Sequence, residues 1–248
     1  MAQLHALGVE EGDTLLVHSS YRALRPIEDG PTGVIEALMM AVGPTGTVTM
    51  PSWTDQDDEP FDRATTSALH LGVVADSFWR QSGVVRSDHC FAFAAAGRNA
   101  QRITSDPLPI PPHGPASPVG RVRKLDGRVL LLGVDHDSNT TVHRAELLAG
   151  VPYSVPMYCT VVQNGRKVRV DYGENNHCCT GFKLLDGWLR ERRLQREGIV
   201  GRAAARLVRA RDVVDVVCEH LLVNPTVFLH PRGSDCSECE EAWASVRR

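Results

Sequence analysis

One short segment of the sequence combines hydroxyl, imidazole and carboxyl side chains: residues 139–146 read NTTVHRAE. Histidine suits proton transfer because its unperturbed pKa, near ~6.5, is close to the usual operating pH of enzymes. Threonine hydroxyls and backbone N–H groups can donate to a developing oxyanion. From spacing alone, His143 is either a general base or a helix N-terminal histidine without a role. Thr140 and Thr141 could be oxyanion donors, helix caps, or both at once.

An acidic run, DQDDE at residues 55–59, follows a predicted strand that Pro51 ends. If these carboxylates line a cleft, the low-dielectric walls focus their field and favour a cationic ligand far more than net charge does. Glu146 lies one helical turn after His143 and is expected to face the same cleft. A solvated acidic loop is the alternative interpretation.

The turn at residues 18–22, HSSYR, is a candidate binding segment for phosphate or amide groups, through its backbone N–H groups and hydroxyls. His18 could equally be a core histidine. The sequence contains neither a phosphate-binding P-loop nor a Gly-x-Gly-x-x-Gly pattern, so nucleotide hydrolysis and NAD chemistry are poorly supported. Four arginines are candidate phosphate-binding residues, although each could also be a solvated surface charge. They are Arg22, Arg25, Arg86 and Arg121.

Two groups among the seven cysteines have metal-ligand character. Cys236-x-x-Cys239 has the spacing of a zinc knuckle, but one such pair binds no metal tightly. The pair at 178–179, preceded by His177, could complete a structural zinc site. We therefore hypothesise a Zn²⁺ ion held by ligands from one set: His177, Cys178, Cys179, Cys236 and Cys239. Free thiols or a disulfide are the alternative.

These residues are carried by elements of an α/β pattern. Strands are predicted at 15–17, 46–50 and 127–134, and helices at 32–41, 71–81, 141–149, 182–192 and 201–222. An Asn-Gly turn at 164–165 predicts a hairpin, and the proline-rich segment 106–118 predicts a rigid loop that walls a cleft or connects lobes. We expect one domain over 1–248, with a central mixed sheet flanked by helices, a small subdomain at about 151–180 and a helical tail at 182–248.

Composition excludes several classes of protein. The 248 residues have a formal net charge of −3 and no basic stretch interleaved with aromatic residues, so nucleic acid is not an expected partner. The apolar runs are far shorter than the ~20 residues that a membrane span needs. The N-terminal segment has neither the basic start nor the apolar centre of a signal peptide, so a cytoplasmic location is expected.

Three segments together resemble one family. The sequence LLVHSSYR at 15–22, DHCFAFAAAG at 88–97 and LLG at 131–133 with NTTVHRAE at 139–146 are similar to the motifs of the aminoglycoside 3-N-acetyltransferases. This antibiotic N-acetyltransferase family is unrelated to the GNAT fold. The resemblance covers nearly the whole chain and is strongest to the type IV members, which act on apramycin and gentamicin-like drugs.

The resemblance implies an acetyl-CoA-dependent enzyme that transfers an acetyl group directly, with His143 as general base and Thr140 near the thioester. It implies an acid after the hairpin that orients His143, and Glu174 stands at that place. Asn176 occupies a position where the type IV members carry an acid, so Glu174 is expected to act alone. The resemblance also implies a set of residues that bind the cofactor. They are His18, Ser19, Ser20 and Arg22 of the turn, Thr141 of the third motif, and His89 and Ser117.

The implied substrate is the 3-amino group of an aminoglycoside of the apramycin, gentamicin or tobramycin type, and acetylation would confer antibiotic resistance. Because aminoglycosides are polycations, the expected substrate-binding residues are Asp55, Asp57, Asp58, Glu59, Trp53 and Glu146. The chain is expected to be a monomer or a homodimer.

Two other functions remain open at this point. The first is a ping-pong acyltransferase in which Cys90 or Cys178, paired with a histidine, is the nucleophile. The second is a non-catalytic zinc-binding module.

Overall fold

The computed structural model describes residues 1–246, which form ten α-helices and nine strands. The helices are α1 Ala2–Leu7, α2 Tyr21–Leu24, α3 Gly30–Val42, α4 Val73–Trp79, α5 Ala100–Thr104, α6 Pro118–Lys124, α7 Thr141–Ala149, α8 Leu184–Glu191, α9 Ala210–Val223 and α10 Ser237–Ser245. The strands are β1 Thr14–Ser19, β2 Thr47–Pro51, β3 Val85–Arg86, β4 Phe93–Gly97, β5 Arg128–Leu132, β6 Val155–Gln163, β7 Arg166–Glu174, β8 Gln195–Val200 and β9 Ala203–Arg209.

Seven strands form one mixed sheet in the order β3-β4-β2-β1-β5-β9-β8. Only β1 pairs in parallel, with β2 on one side and β5 on the other, and the remaining pairs are antiparallel. The predicted α/β fold with a central mixed sheet is therefore confirmed. The carboxyl ends of β1 and β5 lie side by side, with Ser19 opposite Leu132, which is where α/β sheets commonly carry their sites.

The central strands are buried on both faces, because helices cover each side of the sheet. Alternate residues of β1 enter different cores: Leu15 and Val17 belong to one hydrophobic cluster, and Leu16 to the other. The continuous apolar sequences of β1 and β5 follow from this burial, since no face of either strand meets water.

The helix predicted over 201–222 is wrong in its first part. Residues Ala203–Arg209 form β9, which pairs with β5 and β8, and α9 begins only at Ala210. The C-terminal part is thus not a helical tail, because β8 and β9 complete the sheet. Alanine is a strong helix former, but the alternating burial of this segment against β5 overrides that propensity.

The predicted hairpin is present and longer than the sequence indicated. β6 and β7 pair antiparallel over nine residues each as a separate two-stranded sheet. Asn164 and Gly165 both have positive φ, as a two-residue hairpin turn requires. This hairpin stands beside the carboxyl edge of the main sheet and contributes residues to the cleft there. Within residues 1–246, no helix is long and apolar enough to cross a bilayer.

Candidate active site

A buried carboxylate, Glu146, organises the site. One of its oxygens accepts a hydrogen bond from His143 Nδ1 at 2.9 Å. The other accepts bonds from His177 Nε2 at 2.8 Å and from the Tyr153 hydroxyl at 2.6 Å. A carboxylate only accepts, so Nδ1 of His143 carries a proton and Nε2 keeps its lone pair in the neutral ring. The arrangement presents a basic nitrogen toward the cleft.

Helix α7 sets this geometry locally. His143 and Glu146 lie three residues apart on one face, and the side chain of Asn139 accepts a hydrogen bond from the Thr141 N–H at 3.0 Å at the helix start. Thr140 makes no capping bond with its side chain. Its hydroxyl lies 3.3 Å from Nε2 of His18, at the end of β1, so the hydroxyl faces the cleft rather than the helix.

The electrostatics favour an ionised Glu146 and a strongly basic His143. Burial raises the pKa of Glu146, but hydrogen bonds from His143 and His177 outweigh burial and lower that pKa to about 2. Burial lowers the pKa of His143, but the Cys179 sulfur and the Glu146 carboxylate outweigh burial, so this pKa is raised well above 6.5. Burial, with a contribution from His136, lowers the pKa of His18 to about 3, so His18 is a neutral partner for Thr140.

His143 and Thr140 stand where two cavities meet. The first cavity, about 360 Å³, is lined by β1, the loop before α7 and apolar side chains including Met50, Leu71 and Phe182. The second, about 350 Å³, is lined by Asp55, Asp57 and Glu174. Four residues belong to both walls: Trp53, His70, Thr140 and His143. A reacting group in either cavity can therefore reach the same basic nitrogen.

The second cavity is acidic and, among the described residues, is lined by no lysine or arginine. Burial raises the pKa of Glu174; His143 opposes this effect, and the carboxylates of Glu146 and Asp57 reinforce it. Burial and the carboxylates of Asp58 and Asp55 likewise raise the pKa of Asp57. Burial is the main cause of both shifts and repulsion among the carboxylates adds to it, so a cationic ligand would stabilise the ionised form of these acids.

The carboxylates of the acidic run 55–59 have two different roles: two line the cavity and two contact the hairpin. Asp55 and Asp57, with Trp53, line the cavity as predicted. Asp58 instead accepts a hydrogen bond from the Tyr158 hydroxyl at 2.8 Å, and Glu59 pairs with Lys167 at 2.5 Å. Both therefore dock the acidic loop onto the hairpin and do not line the cavity.

The predicted partner of His143 is wrong. Glu174 lies 3.6 Å from Nδ1 of His113 and does not orient His143; Glu146 does. Glu146 is in turn fully buried and saturated by three donors, so it does not face the cleft as a substrate ligand. Helical spacing placed Glu146 next to His143, but whether that face meets water depends on Tyr153 and His177, which come from outside α7.

His113 is a site residue that the sequence did not reveal. Its ring stacks on that of His143, with centroids 5.0 Å apart and planes inclined by 28°. Burial and the charge of His143 lower the pKa of His113 to about 3, so it packs as a neutral ring. The proline-rich loop carries His113 and Pro112 into the acidic cavity, so the prediction that this loop walls a cleft is confirmed.

The predicted cofactor positions are only partly brought together. His18 and Ser19 line the first cavity, whereas Ser20 precedes α2, Arg22 lies within it, and neither lines that cavity. The remaining three are buried elsewhere. His89 bonds to Asp106 at 2.7 Å, Ser117 caps α6 through Gly120 N–H, and Thr141 is fully buried in α7.

The cysteines also differ from expectation. His177 is occupied by Glu146, and Cys179 Sγ lies 3.6 Å from His143 Nε2, so neither belongs to the metal cluster. The other three predicted ligands, Cys178, Cys236 and Cys239, do converge, and His230 joins them. Of the two candidate nucleophiles, Cys90 is buried beside Cys159, which raises the Cys90 pKa. Cys178 faces His230 rather than His143.

Comparisons with known proteins agree with this architecture. The model of the family described as aminoglycoside 3-N-acetyltransferase matches residues 16–221. The aminoglycoside N(3)-acetyltransferase IV of Salmonella sp is 61% identical over 232 residues, which are 93% of this chain and 89% of that protein. The aminoglycoside N(3)-acetyltransferase VII of Streptomyces paromomycinus is 33% identical, over 86% of each chain.

Solved structures give the same result. The apoenzyme of aminoglycoside acetyltransferase AAC(3)-IVa superposes with a TM-score of 0.97 at 59% identity, covering 99% of this chain and 95% of that one. A histidine-to-alanine variant of AAC(3)-IVa in complex with apramycin gives a TM-score of 0.90 at 57% identity, with 96% and 95% coverage.

A basic histidine at the junction of two cavities, one of them acidic, at the carboxyl edge of this mixed sheet is consistent with an acyltransferase. The chain belongs to the aminoglycoside 3-N-acetyltransferase family. Within that family it is similar to the type IV enzymes. Membership excludes the alternative of a non-catalytic zinc-binding module.

Proposed function

We propose that the protein transfers the acetyl group of acetyl-CoA directly to the 3-amino group of an aminoglycoside, with His143 as general base. The position of His143 at the junction of the two cavities carries this proposal. The thioester would enter through the cavity beside β1, and the aminoglycoside would occupy the acidic cavity. The complexes of AAC(3)-IVa variants with a gentamicin and with apramycin support this class of substrate.

The reaction follows from the orientation of His143. The neutral amine attacks the thioester carbonyl, so a C–N bond forms and the C–S bond breaks. His143 Nε2 takes the proton from the amine and returns it to the departing thiolate, which leaves as free CoA. Glu146 holds the Nδ1 proton and stabilises the imidazolium that forms in between. The Thr140 hydroxyl would donate to the oxyanion of the tetrahedral intermediate.

Acetylation would remove a positive charge from the drug, so expression of the protein is expected to protect a susceptible bacterium. The direct test is release of free thiol from acetyl-CoA across apramycin, gentamicin and tobramycin, with the acetylated position assigned by NMR. We expect His143→Ala to lower kcat/KM by about 10²–10⁴-fold. His5→Ala, an exposed histidine on α1, is the matched control. A His143→Ala protein that turns over at the wild-type rate would overturn the proposal.

One contact favours a second route. His143 lies between a thiol and a carboxylate. Its Nε2 is 3.6 Å from Cys179 Sγ and its Nδ1 is 2.9 Å from a Glu146 oxygen, which is the arrangement of a nucleophile, a base and an orienting acid. In this route the Cys179 sulfur attacks the thioester and becomes acetylated, CoA leaves with the thiol proton, and the amine then displaces Cys179.

The two routes make opposite predictions for Cys179→Ala. Direct transfer predicts retained turnover and no acetylated protein when the wild type meets acetyl-CoA alone. The covalent route predicts an enzyme heavier by one acetyl group in intact-mass measurements, and loss of turnover in the variant. Cys218→Ala, a half-buried thiol on α9, serves as the matched control.

A further inference from the structure

Four metal-ligating side chains converge near the end of the described chain: Cys178, His230, Cys236 and Cys239. One donor atom from each lies within 4.8 Å of the other three. Cys239 is buried and the other three are partly exposed. None of the four lines the two cavities at His143, so the cluster is a separate site.

The donor set and its dimensions fit zinc. Three thiols and one imidazole are typical ligands of a closed tetrahedral zinc site, with Zn–S near ~2.3 Å and Zn–N near ~2.0–2.1 Å. Such a tetrahedron separates its donor atoms by about 3.5–3.8 Å. Cys178 Sγ and His230 Nε2 are already 3.6 Å apart, so a small contraction of the remaining pairs would close the site.

Apart from the four ligands, α10 has only a small hydrophobic core to hold it in place. The hydrophobic cluster that packs against α10 contains four buried residues, namely Tyr153, Leu229, Cys239 and Ala242, and five partly buried ones, two of which are the ligands Cys178 and Cys236. α10 itself has nine residues, too short to be stable in isolation. A core this small does not fix a short terminal helix, and small units of this kind commonly depend on a metal or a disulfide.

We propose that Cys178, His230, Cys236 and Cys239 bind a structural Zn²⁺ ion that fixes the segment 177–179 beneath the catalytic histidine. The residues on either side of the Cys178 ligand contact the catalytic pair directly. His177 donates to Glu146 at 2.8 Å, and Cys179 lies 3.6 Å from His143. A metal that immobilises Cys178 therefore limits the positions of both neighbours, which act as positioning residues.

Metal content tests the site independently of activity. We expect about one equivalent of zinc per chain in protein purified without chelator, and Co²⁺ replacement should give the thiolate charge-transfer and visible bands of a tetrahedral site. Replacement of the buried Cys239 could prevent folding. The variants to be tested are therefore His230→Gln and Cys236→Ser, because both positions are partly exposed. Both should lose most of the zinc, whereas Cys218→Ser should keep it.

Two results would overturn the site. One is wild-type protein that holds less than about half an equivalent of zinc and gives no cobalt bands. The other is a disulfide between Cys236 and Cys239 in protein purified under reducing conditions, detected as a cross-linked peptide.

The link to catalysis rests on the proposed role of His143 and has its own measurement. Hydrogen exchange should accelerate at 177–179 and in α10 when the metal is removed, while the central sheet keeps its protection. Under those conditions kcat should fall at least about tenfold with a smaller change in the KM for apramycin. Unchanged exchange at 177–179 in metal-free protein would contradict the positioning role. If no form of the protein acetylates an aminoglycoside, the proposed function fails while metal content still decides the site.

Discussion

At the scale of single residues, the site depends on one carboxylate that serves three donors. Glu146 is fully buried, yet it carries a charge because His143, His177 and Tyr153 all donate to it. A buried carboxylate without such partners would be protonated and could not hold the Nδ1 proton of His143. The basicity of Nε2 therefore depends on the Glu146 contacts behind the cleft, on the far side of the ring, as well as on the Cys179 sulfur that lies 3.6 Å from Nε2.

The variant Glu146→Gln tests this dependence through pH. His143 accepts a proton only when neutral, so activity is lost as the pH falls through its pKa, which Cys179 and then Glu146 raise above 6.5 against the opposing effect of burial. Removal of the negative charge should move the acidic limb of the kcat/KM profile to lower pH. It should also lower the plateau by about 10²-fold or more, because the ring loses its orienting acceptor.

Glu174→Gln is the matched control for that measurement. Glu174 lines the acidic cavity without bonding to His143, so its replacement should raise the KM for the aminoglycoside. It should move the acidic limb less than Glu146→Gln does, because Glu174 acts on His143 through charge alone and not through a hydrogen bond. An acidic limb that stays at the same pH in Glu146→Gln would contradict the assignment of Glu146.

At the scale of elements, the turn that ends β5 leads into the loop that precedes α7. Gly133 has a φ of +69°, and a Cβ atom there would lie 2.6 Å from Cβ of Ala23 and 3.0 Å from Cβ of Ala203. The loop that follows it carries Asn139 and Thr140 to the cleft. The sharp turn and the close approach of two neighbouring segments both require glycine at this position.

The substitution Gly133→Ala should therefore destabilise the protein and disturb the site. The left-handed backbone alone costs about 1–2 kcal/mol for a residue with a Cβ atom, and the close contacts add to that cost. Gly187→Ala is the matched control: Gly187 is an exposed residue of α8, and a Cβ atom added there would meet nothing within 4 Å.

Chemical denaturation gives the two free energies of unfolding. We expect a loss of at least about 1 kcal/mol for Gly133→Ala, with reduced kcat, and a gain of about 0.5–1 kcal/mol for Gly187→Ala with unchanged kcat. Equal stabilities for the two variants would show that the turn tolerates a side chain.

At the scale of the whole molecule, charge distribution matters more than net charge. The formal net charge is only −3, but Asp55, Asp57 and Glu174 line one cavity. Low-dielectric walls would focus the field of these acids onto the proposed polycationic substrate. The acidic loop keeps this position because the hairpin holds it, through Tyr158, Thr160 and Lys167.

The double variant Asp55→Asn/Asp57→Asn should weaken aminoglycoside binding. We expect the KM for apramycin to rise about tenfold, equivalent to about 1.4 kcal/mol, and to depend less steeply on ionic strength than in the wild type. Asp171→Asn, at an exposed hairpin position paired with Arg169, should change neither quantity. A wild-type KM that is insensitive to salt would argue against binding by focused charge.

The sequence by itself determined the α/β class, the hairpin, the start of α7 at Thr141 and the candidate base His143. It also predicted that acids of the run 55–59 line a cleft, and Asp55 and Asp57 do so. These features depend on local patterns: apolar runs, an Asn-Gly turn, and a motif contiguous in the chain. Local pattern failed at Ala203–Arg209, where an alanine-rich segment that favours a helix is held as a strand by its neighbours in the sheet.

Only the tertiary structure decided which side chains contact Glu146, His143 and Cys178. Glu146 is near His143 by helical spacing, but its burial comes from Tyr153 and His177, which approach from outside α7. His113 stacks on His143 from a proline-rich loop 30 residues earlier, and His230 meets Cys178 across 52 residues. Contacts of this range depend on how layers pack around two cores, and no spacing along the chain encodes which polar side chains those layers will enclose.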